Sequence, residues 1–477
     1  MVHDLLFPEL LLFIRLWLCV TWYRRWHRHQ SPPCPSTPTR AKSSPKRSQD
    51  QRPFPGLIHE PHGEACERAA EPSHPTSSAP PPPLTSTRGR RREVTTQHHF
   101  CPHPSCHYYG WVGLNNIRAN GHPGNNPWRQ LQCVMCHTYL QETHGTPLHG
   151  KRVPPERFVW AVGALAEGLG IRAVARVFEV DPDTVLHWLL EAADQAAAFS
   201  QYFLHDLQVT QVQLDELFAR LSAVQAGEGS EGEAMTRLSH SPHWVWAAID
   251  PVYKLLLALD VGDRTLAIAQ RVVHQVVQVL APGCVPLFLT DGFKEYRIAL
   301  LAHYGHWVQP SRQRAQGPAS KPRWMPLPQL LYAQVVKRYR RRRLVSIRHR
   351  VVFGTVAGIH RVLAATGWQI NTAFIERVNL AIRQHVAAVG RRVITLCKGE
   401  DGLRQQLIVF QTYHNFCLPH AALRHPLPQS LPTNGTGSAK RWRPCTPAMA
   451  TGLTDHVCSL REVLLFRVPP WPQPQAF

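Results

Sequence analysis

The stretch QVTQVQLDELF (Gln208–Phe218) alternates polar and apolar residues and carries two adjacent carboxylates, Asp215 and Glu216. Alternation with period two marks a strand, because successive side chains leave a pleated backbone on opposite faces. Working outward, HWVWAAID (His243–Asp250) and KLLLALDVG (Lys254–Gly262) read as two more strands joined by a turn at Pro251. TLAIAQRVVHQVVQVLA (Thr265–Ala281) has helical spacing. VPLFLTDG (Val285–Gly292) is a short apolar run bounded by turn residues, as in a buried strand, and KEYRIALLAHYG (Lys294–Gly305) reads as a helix ending in Gly.

Three strands, a helix, a strand and further helices is the element order of an RNase H-like mixed α/β domain, expected over 201–420. Its acids fall where such a sheet gathers them. Asp215 lies in the first strand, and Asp291 ends the buried strand, at the carboxyl edge where α/β sheets place their sites. In NTAFIERVNLAIRQHVAAV (Asn371–Val389), Phe374, Val378, Ile382, Val386 and Val389 span one helical face, with Glu376, Asn379 and Arg383 at its margin. Carboxylates clustered without cations repel, and Mg²⁺ or Mn²⁺, which prefer hard oxygen ligands, relieve the repulsion. Two such ions about 3.5–4 Å apart can activate a water or 3′-hydroxyl and stabilise the leaving oxygen of a phosphodiester. Asn379 and Arg383 are then placed to hold a phosphate. The competing reading is that each acid is an ordinary solvated residue or cap. Glu216 competes with Asp215, and a regular strand puts the two on opposite faces, so only one is expected to serve. Asp250, Asp260 and Asp263 are further acids of the same region.

The 477 residues carry 53 Lys and Arg against 32 Asp and Glu, a formal charge of +21. Such an excess points to a polyanionic partner, most often nucleic acid. An apolar share of 44% excludes disorder throughout. Twelve cysteines, mostly scattered singly, exclude a secreted disulfide scaffold. Fourteen of the 42 prolines fall between Ser31 and Thr95, so residues 30–97 read as a disordered, basic Pro/Arg-rich arm or linker. Its RGRRR cluster (Arg88–Arg92) either touches DNA phosphates or is simply solvated. Ahead of it, the apolar stretch 5–22 within segment 1–29 has the length of a bilayer span. Pro8 interrupts it, and Glu9 and Arg15 would each cost roughly 2.5–3.5 kcal/mol at the membrane centre, so a membrane anchor and an amphipathic helix both stay open.

Within 98–150, Cys101-x4-Cys106 and Cys133-x2-Cys136 form two short knuckles, the spacing of a structural four-thiolate Zn²⁺ site in a zinc ribbon. His103, His107 and His137 are alternative ligands, and Tyr139 sits where a covering aromatic is expected. Residues 151–200 read as an all-α, helix-turn-helix unit. Its helices are Pro154–Gly168, Ile171–Val180 and a third capped by Asp181 with Pro182 at its first position. Asp183, Thr184 and His187 on the third helix would meet DNA, although a plain helical hairpin has the same periodicity.

The order of Cys knuckles, helix-turn-helix, QLDEL, FLTDGFKEY and FIERVNLAIRQHV resembles the insertion-sequence-one type of bacterial DDE transposases over about residues 98–396. The resemblance implies a zinc-ribbon and helix-turn-helix DNA-binding region before an RNase H-like catalytic domain. It also implies Mg²⁺-dependent (or Mn²⁺-dependent) cleavage and strand transfer at transposon ends, with Asp215, Asp291 and Glu376 as the catalytic, metal-binding triad. Double-stranded DNA, as transposon ends and target, would be the partner, and a homo-oligomer is expected because two ends must be joined. A cytoplasmic, nucleoid-associated location follows, or a membrane-anchored one if residues 5–22 insert. The sequence departs from the family pattern in its first 95 residues, in a basic insertion over 307–344, and in a C-terminal extension over 421–477. The insertion contains KRYRRRR (Lys337–Arg343), from which Lys337, Arg340 and Arg341 would touch DNA. The alternatives are a zinc/helix-turn-helix DNA-binding regulator with an inactive RNase H-like domain, and a membrane-anchored DNA-binding protein.

Overall fold

The computed structural model describes Pro82, Leu84 and residues 96–477, apart from 124–127, 220–242, 311–320, 342, 391–398, 433–437, 472 and 474–477. Segment 5–22, the RGRRR cluster and nearly all of the 30–97 arm lie outside the described residues. Among the described residues, no helix is long and apolar enough to cross a membrane.

The fold is mixed α/β, organised on one six-stranded sheet. Strands β4 (Gln211–Phe218), β5 (His243–Asp250) and β6 (Leu255–Asp263) run antiparallel in sequence. Strand β7 (Leu287–Thr290) then pairs parallel to β4 and, after the separate antiparallel pair β8 (Gly305–Val308) and β9 (Arg323–Pro326), β10 (Leu331–Arg340) pairs parallel to β7. An antiparallel strand, β11 (Arg343–Phe353), completes the order β11-β10-β7-β4-β5-β6. The central strands are apolar on both faces because both faces are covered by helices. On β5, Trp246 and Ala248 join the core under α4 (Leu266–Val279) and α5 (Tyr296–His303). Val245, Ala247 and Ile249 join the opposite core, under α7 (Ala373–His385) and α8 (Glu400–Thr412). Helix α6 (Val356–Ala364) closes β7 and β10 through Ile359 and Leu363. Trp246, Phe288 and Tyr296 are fully buried, and truncating such a ring to Ala costs about 3–5 kcal/mol.

Ahead of the sheet, β1 (Ile117–Ala119), β2 (Gln130–Cys133) and β3 (Tyr139–Gln141) form a small antiparallel sheet. Three helices follow: α1 (Pro155–Ala166), α2 (Ile171–Phe178) and α3 (Pro182–Phe203). Asp181 caps α3 by accepting the Asp183 N–H at 2.8 Å. The α2–α3 turn passes through Glu179 at φ 52, and the Arg157 guanidinium donates to the Phe178 and Glu179 carbonyls. Helix α3 runs past the expected boundary at residue 200, and its Phe199 belongs to the core of the large sheet.

One stretch differs from the sequence reading. The expected insertion 307–344 contains β10, whose first half is buried within the sheet and paired to β7. Its apolar LLYAQVV run was hidden by the basic residues that follow. Only the outer half of β10 and its return along β11 project. The C-terminal extension 421–477 also packs onto the body: Ala448, Cys458 and Val463 enter the main core. Among its elements are β12 (His425–Leu431), β13 (Lys440–Arg443), α9 (Pro447–Ala450) and α10 (Leu460–Leu465), the last packed on α1 and α3.

Candidate functional site

Register brings two distant acids together. The parallel pairing of β4 and β7 sets Leu214 opposite Thr290, so the next residues stand side by side, Asp215 midway along β4 and Asp291 just past the carboxyl end of β7. Carboxylate oxygens of Asp215, Glu216 and Asp291 lie within 4.8 Å of one another. Alternation holds, with Asp215 facing α7 and Glu216 facing α5, yet both reach Asp291 because it lies just past the end of its strand. A regular strand is expected to leave only one of the pair as a ligand; carboxylate oxygens of both lie within reach of Asp291.

Each acid has distinct partners. Asn379 of α7 donates to Asp215 Oδ2 at 2.8 Å and is itself buried, so its amide serves the carboxylate rather than an open phosphate position. Gln213, buried two residues earlier on the same face, accepts the Ile375 N–H at 3.2 Å and donates to the Asn371 carbonyl at 3.0 Å, pinning the start of α7. Arg264 donates twice to Glu216 Oε2, at 2.9 and 3.2 Å, and reaches Asp291 Oδ2 at 3.5 Å. Its guanidinium lies over the rings of Trp244 and Phe293, 5.0 and 4.5 Å from their centroids. Asp291 Oδ1 accepts the Phe293 N–H at 3.0 Å, which fixes the turn after β7.

Glu376, the third expected acid, stands across the same pocket and outside the three-carboxylate group. It is ion-paired with Lys337 and accepts the Thr372 hydroxyl at 3.1 Å. The pocket, of about 550 Å³, is walled by Asp215, Asp291, Glu376, Arg264, Lys337 and Tyr339. Burial, reinforced by the charge of Asp291, pushes Asp215 up to about 6 and Glu216 up to about 7. Lys337 and Asn379 oppose the rise at Asp215; the Tyr296 hydroxyl and Arg264 oppose it at Glu216. Glu216 Oε1 is fully buried. Clustered oxygens and raised proton affinity fit a hard divalent cation.

The four sulfurs of Cys101, Cys106, Cys133 and Cys136 also lie within 4.8 Å of one another, with Cys101–Cys136 at 3.4 Å and Cys106–Cys133 at 3.9 Å. A tetrahedron of Zn–S bonds of about 2.3 Å requires sulfurs roughly 3.8 Å apart, so the cluster is compatible with zinc. Burial pushes the Cys101 and Cys106 thiols up, so holding those two as thiolates requires a cation, whereas against its burial the contacts with Thr138 bring Cys136 down to about 6. The second knuckle turns through His137 at φ 58. His103, His107 and His137 are outside the sulfur group. Tyr139 is exposed; the aromatic buried at the cluster is Tyr108, whose N–H lies 3.4 Å from Cys106 Sγ.

The other expected DNA contacts are dispersed. Asp183 and His187 are exposed on the first two turns of α3, and Thr184 is half-buried. His187 Nε2 lies 3.1 Å from Glu191 Oε1, which also holds Lys151 at 2.6 Å. Arg383 is half-buried on α7, whereas Arg340 and Arg341 are exposed at the tip of the β10–β11 hairpin. Sequence reasoning missed Arg264, Tyr296 and the approach of both Asp215 and Glu216 to Asp291; the adjacency of two acids was the only signal for the last. No protein-family model and no curated protein matches this chain.

Proposed function

We propose that the chain is a DDE-type transposase that cleaves DNA phosphodiesters and transfers strands with Mg²⁺ or Mn²⁺, on an RNase H-like domain. The observation that carries this reading is the β4–β7 register, which sets Asp215 and Glu216 against Asp291 with Glu376 across one pocket. The strand order, three antiparallel strands followed by two parallel ones on the other side of β4, supports the domain assignment. The three helices and the cysteine cluster are read as the helix-turn-helix and zinc ribbon of the DNA-binding region.

Asp215, Asp291 and either Glu216 or Glu376 would hold the divalent ions. A divalent ion held there would supply activation of the attacking hydroxyl and charge stabilisation at the leaving oxygen. The chain's own groups complete the site. Asn379 orients Asp215, and Gln213 holds the start of the helix that bears Glu376. Arg264, braced on two rings and by Glu216, presents a planar cation beside Asp291 where a phosphate can be gripped. Lys337, now paired with Glu376, can release that carboxylate and take the phosphate instead.

One observation favours the regulator reading: Arg264 and Lys337 already neutralise acids of the pocket, so an inert ion-pair cluster has the same charges. A cleavage and strand-transfer assay on the DNA flanking the gene separates the two. Asp291→Ala and Glu376→Ala should reduce metal-dependent products to background while binding those flanks almost as the unaltered chain does. Binding without product in either metal would establish the regulator. Equal loss of binding in both variants would make the acids structural.

A further inference from the structure

Between Glu295 and Glu376 the chain runs 80 residues without an Asp or Glu while carrying 14 Lys or Arg. Eight of those cations fall within Lys337–Arg350, the outer part of the β10–β11 hairpin. Strand β7 supports β10 only from Leu331 to Gln334. Beyond that point β10 and β11 pair only with each other, through Val336–Arg348, Lys337–Ile347 and Arg338–Ser346. A register shift after Arg338 adds twist toward the tip. From Val336 to Arg350 every described residue is exposed except Lys337 and Ser346, which are half-buried. The result is a free-standing, two-stranded basic ribbon whose root is a wall of the acidic pocket, since Val336, Lys337 and Tyr339 line it.

An exposed outer strand of this length would ordinarily invite pairing with a second copy. Here the same cations on both chains would repel. A stacking platform for single strands is also missing, because Tyr339 is the one tyrosine, phenylalanine or tryptophan between Val336 and Arg350. A two-stranded ribbon is, however, the size of element that the major groove of duplex DNA, about 12 Å wide, admits. Cations on both strands would then face both phosphate walls.

We propose that residues 336–350 form a β-ribbon that lies in the major groove of duplex DNA immediately beside the acidic pocket. The ribbon holds the duplex so that the backbone adjoining its root enters the pocket at Lys337. Arg348 and Arg350, on the return strand, belong to this surface together with Arg340 and Arg341. The inference rests on the duplex-DNA reading above, but its test is independent of chemistry.

The test uses the full chain and a short duplex of arbitrary sequence, with affinity followed against salt. Arg340→Ser/Arg341→Ser/Arg343→Ser should weaken binding alike on different sequences. It should also make the slope of log affinity against log salt shallower by about 2–3, roughly one unit for each phosphate that is no longer neutralised. Arg348→Ser/Arg350→Ser, at the root of the ribbon opposite Val336 and Gln334, should act in the same direction by about 1–2. All five positions are exposed, and unchanged thermal midpoints would certify the fold. Protection of guanine N7, a major-groove atom, from dimethyl sulfate should be lost in the triple variant. An unchanged salt slope in both variants, or guanine protection independent of the ribbon, would overturn the proposal. A preference for single strands, or binding to anionic vesicles with no duplex binding, would overturn it equally. If the unaltered chain binds through the ribbon yet yields no product in any metal, the transposase reading falls and the ribbon stands.

Discussion

At the scale of single residues, the large sheet holds carboxyls whose burial works against their charge. Asp215 and Glu216 are two, and Asp250 at the end of β5 is a third, pushed up to about 6 chiefly by burial. Asp250 Oδ1 accepts the Val252 N–H at 2.8 Å, while Oδ2 is buried without a partner. A carboxyl with a raised folded pKa binds its proton more tightly in the folded chain than in the unfolded one. It therefore costs nothing below its unfolded value near 4, and its penalty grows as pH rises through about 6. Asp250→Asn should flatten that part of the curve. The gap between variant and unaltered chain, followed as the urea midpoint, should widen in the variant's favour from pH 4 to 7 by up to about 3 kcal/mol. Parallel curves would show that Asp250 is relieved by Lys254 beside it. Asp215 and Asp291 were legible as site residues because a strand pattern and a strand end are local signals. Arg264 was not, since its role comes from Glu216 and two rings far away in sequence.

At the scale of elements, helix α7 is the part that must be placed correctly, because it carries Glu376 and Asn379. Its start is held by Gln213 and by Lys254, whose ammonium lies 4.0 Å from the centroid of Phe374 and 5.1 Å from that of Trp368. Its end is held by the three-helix unit. His385 Nδ1 lies 3.2 Å from the Ala166 carbonyl, and Gly168 packs directly on the Gln384 carbonyl. Gly168 sits at φ 92, a conformation open to glycine and strained for other residues. A Cβ there would also strike that carbonyl. Gly168→Ala should cost about 1–3 kcal/mol in chemical denaturation. A neutral result would mean that the contact between α1 and α7 is loose and leaves Glu376 unconstrained. The helices themselves were readable from capping and spacing, as at Asp181 and Pro182. Their docking was not, since periodicity says which face is buried and nothing about what buries it.

At the scale of the whole molecule, the C-terminal segment closes back on the cysteine-bearing region. The Arg467 guanidinium donates to the Glu142 carbonyl, and Trp471 packs edge-on against Tyr109 and Trp111, 5.5 and 5.9 Å between ring centroids. The cysteine cluster is thereby tied to the C-terminal segment that also covers α1 and α3. If the cluster holds zinc, Cys133→Ser should remove one zinc in native mass spectrometry and lower the thermal midpoint. Retention of the same metal content would count against the four-sulfur site.

What the sequence by itself determined is whatever is encoded within one element: the strand alternation of Gln208–Phe218, the two cysteine knuckles, the caps of α3 and an acid-free basic run. Those signals depend on backbone periodicity and on residue chemistry a few positions apart. The tertiary structure alone decided the rest. It drew Glu216 into the cluster with Asp215, paired Glu376 with Lys337, turned half of an expected insertion into a core strand and folded the C-terminal region into the core. Each of these depends on strand register or helix docking between segments tens to hundreds of residues apart, where geometry is set by how buried surfaces fit together.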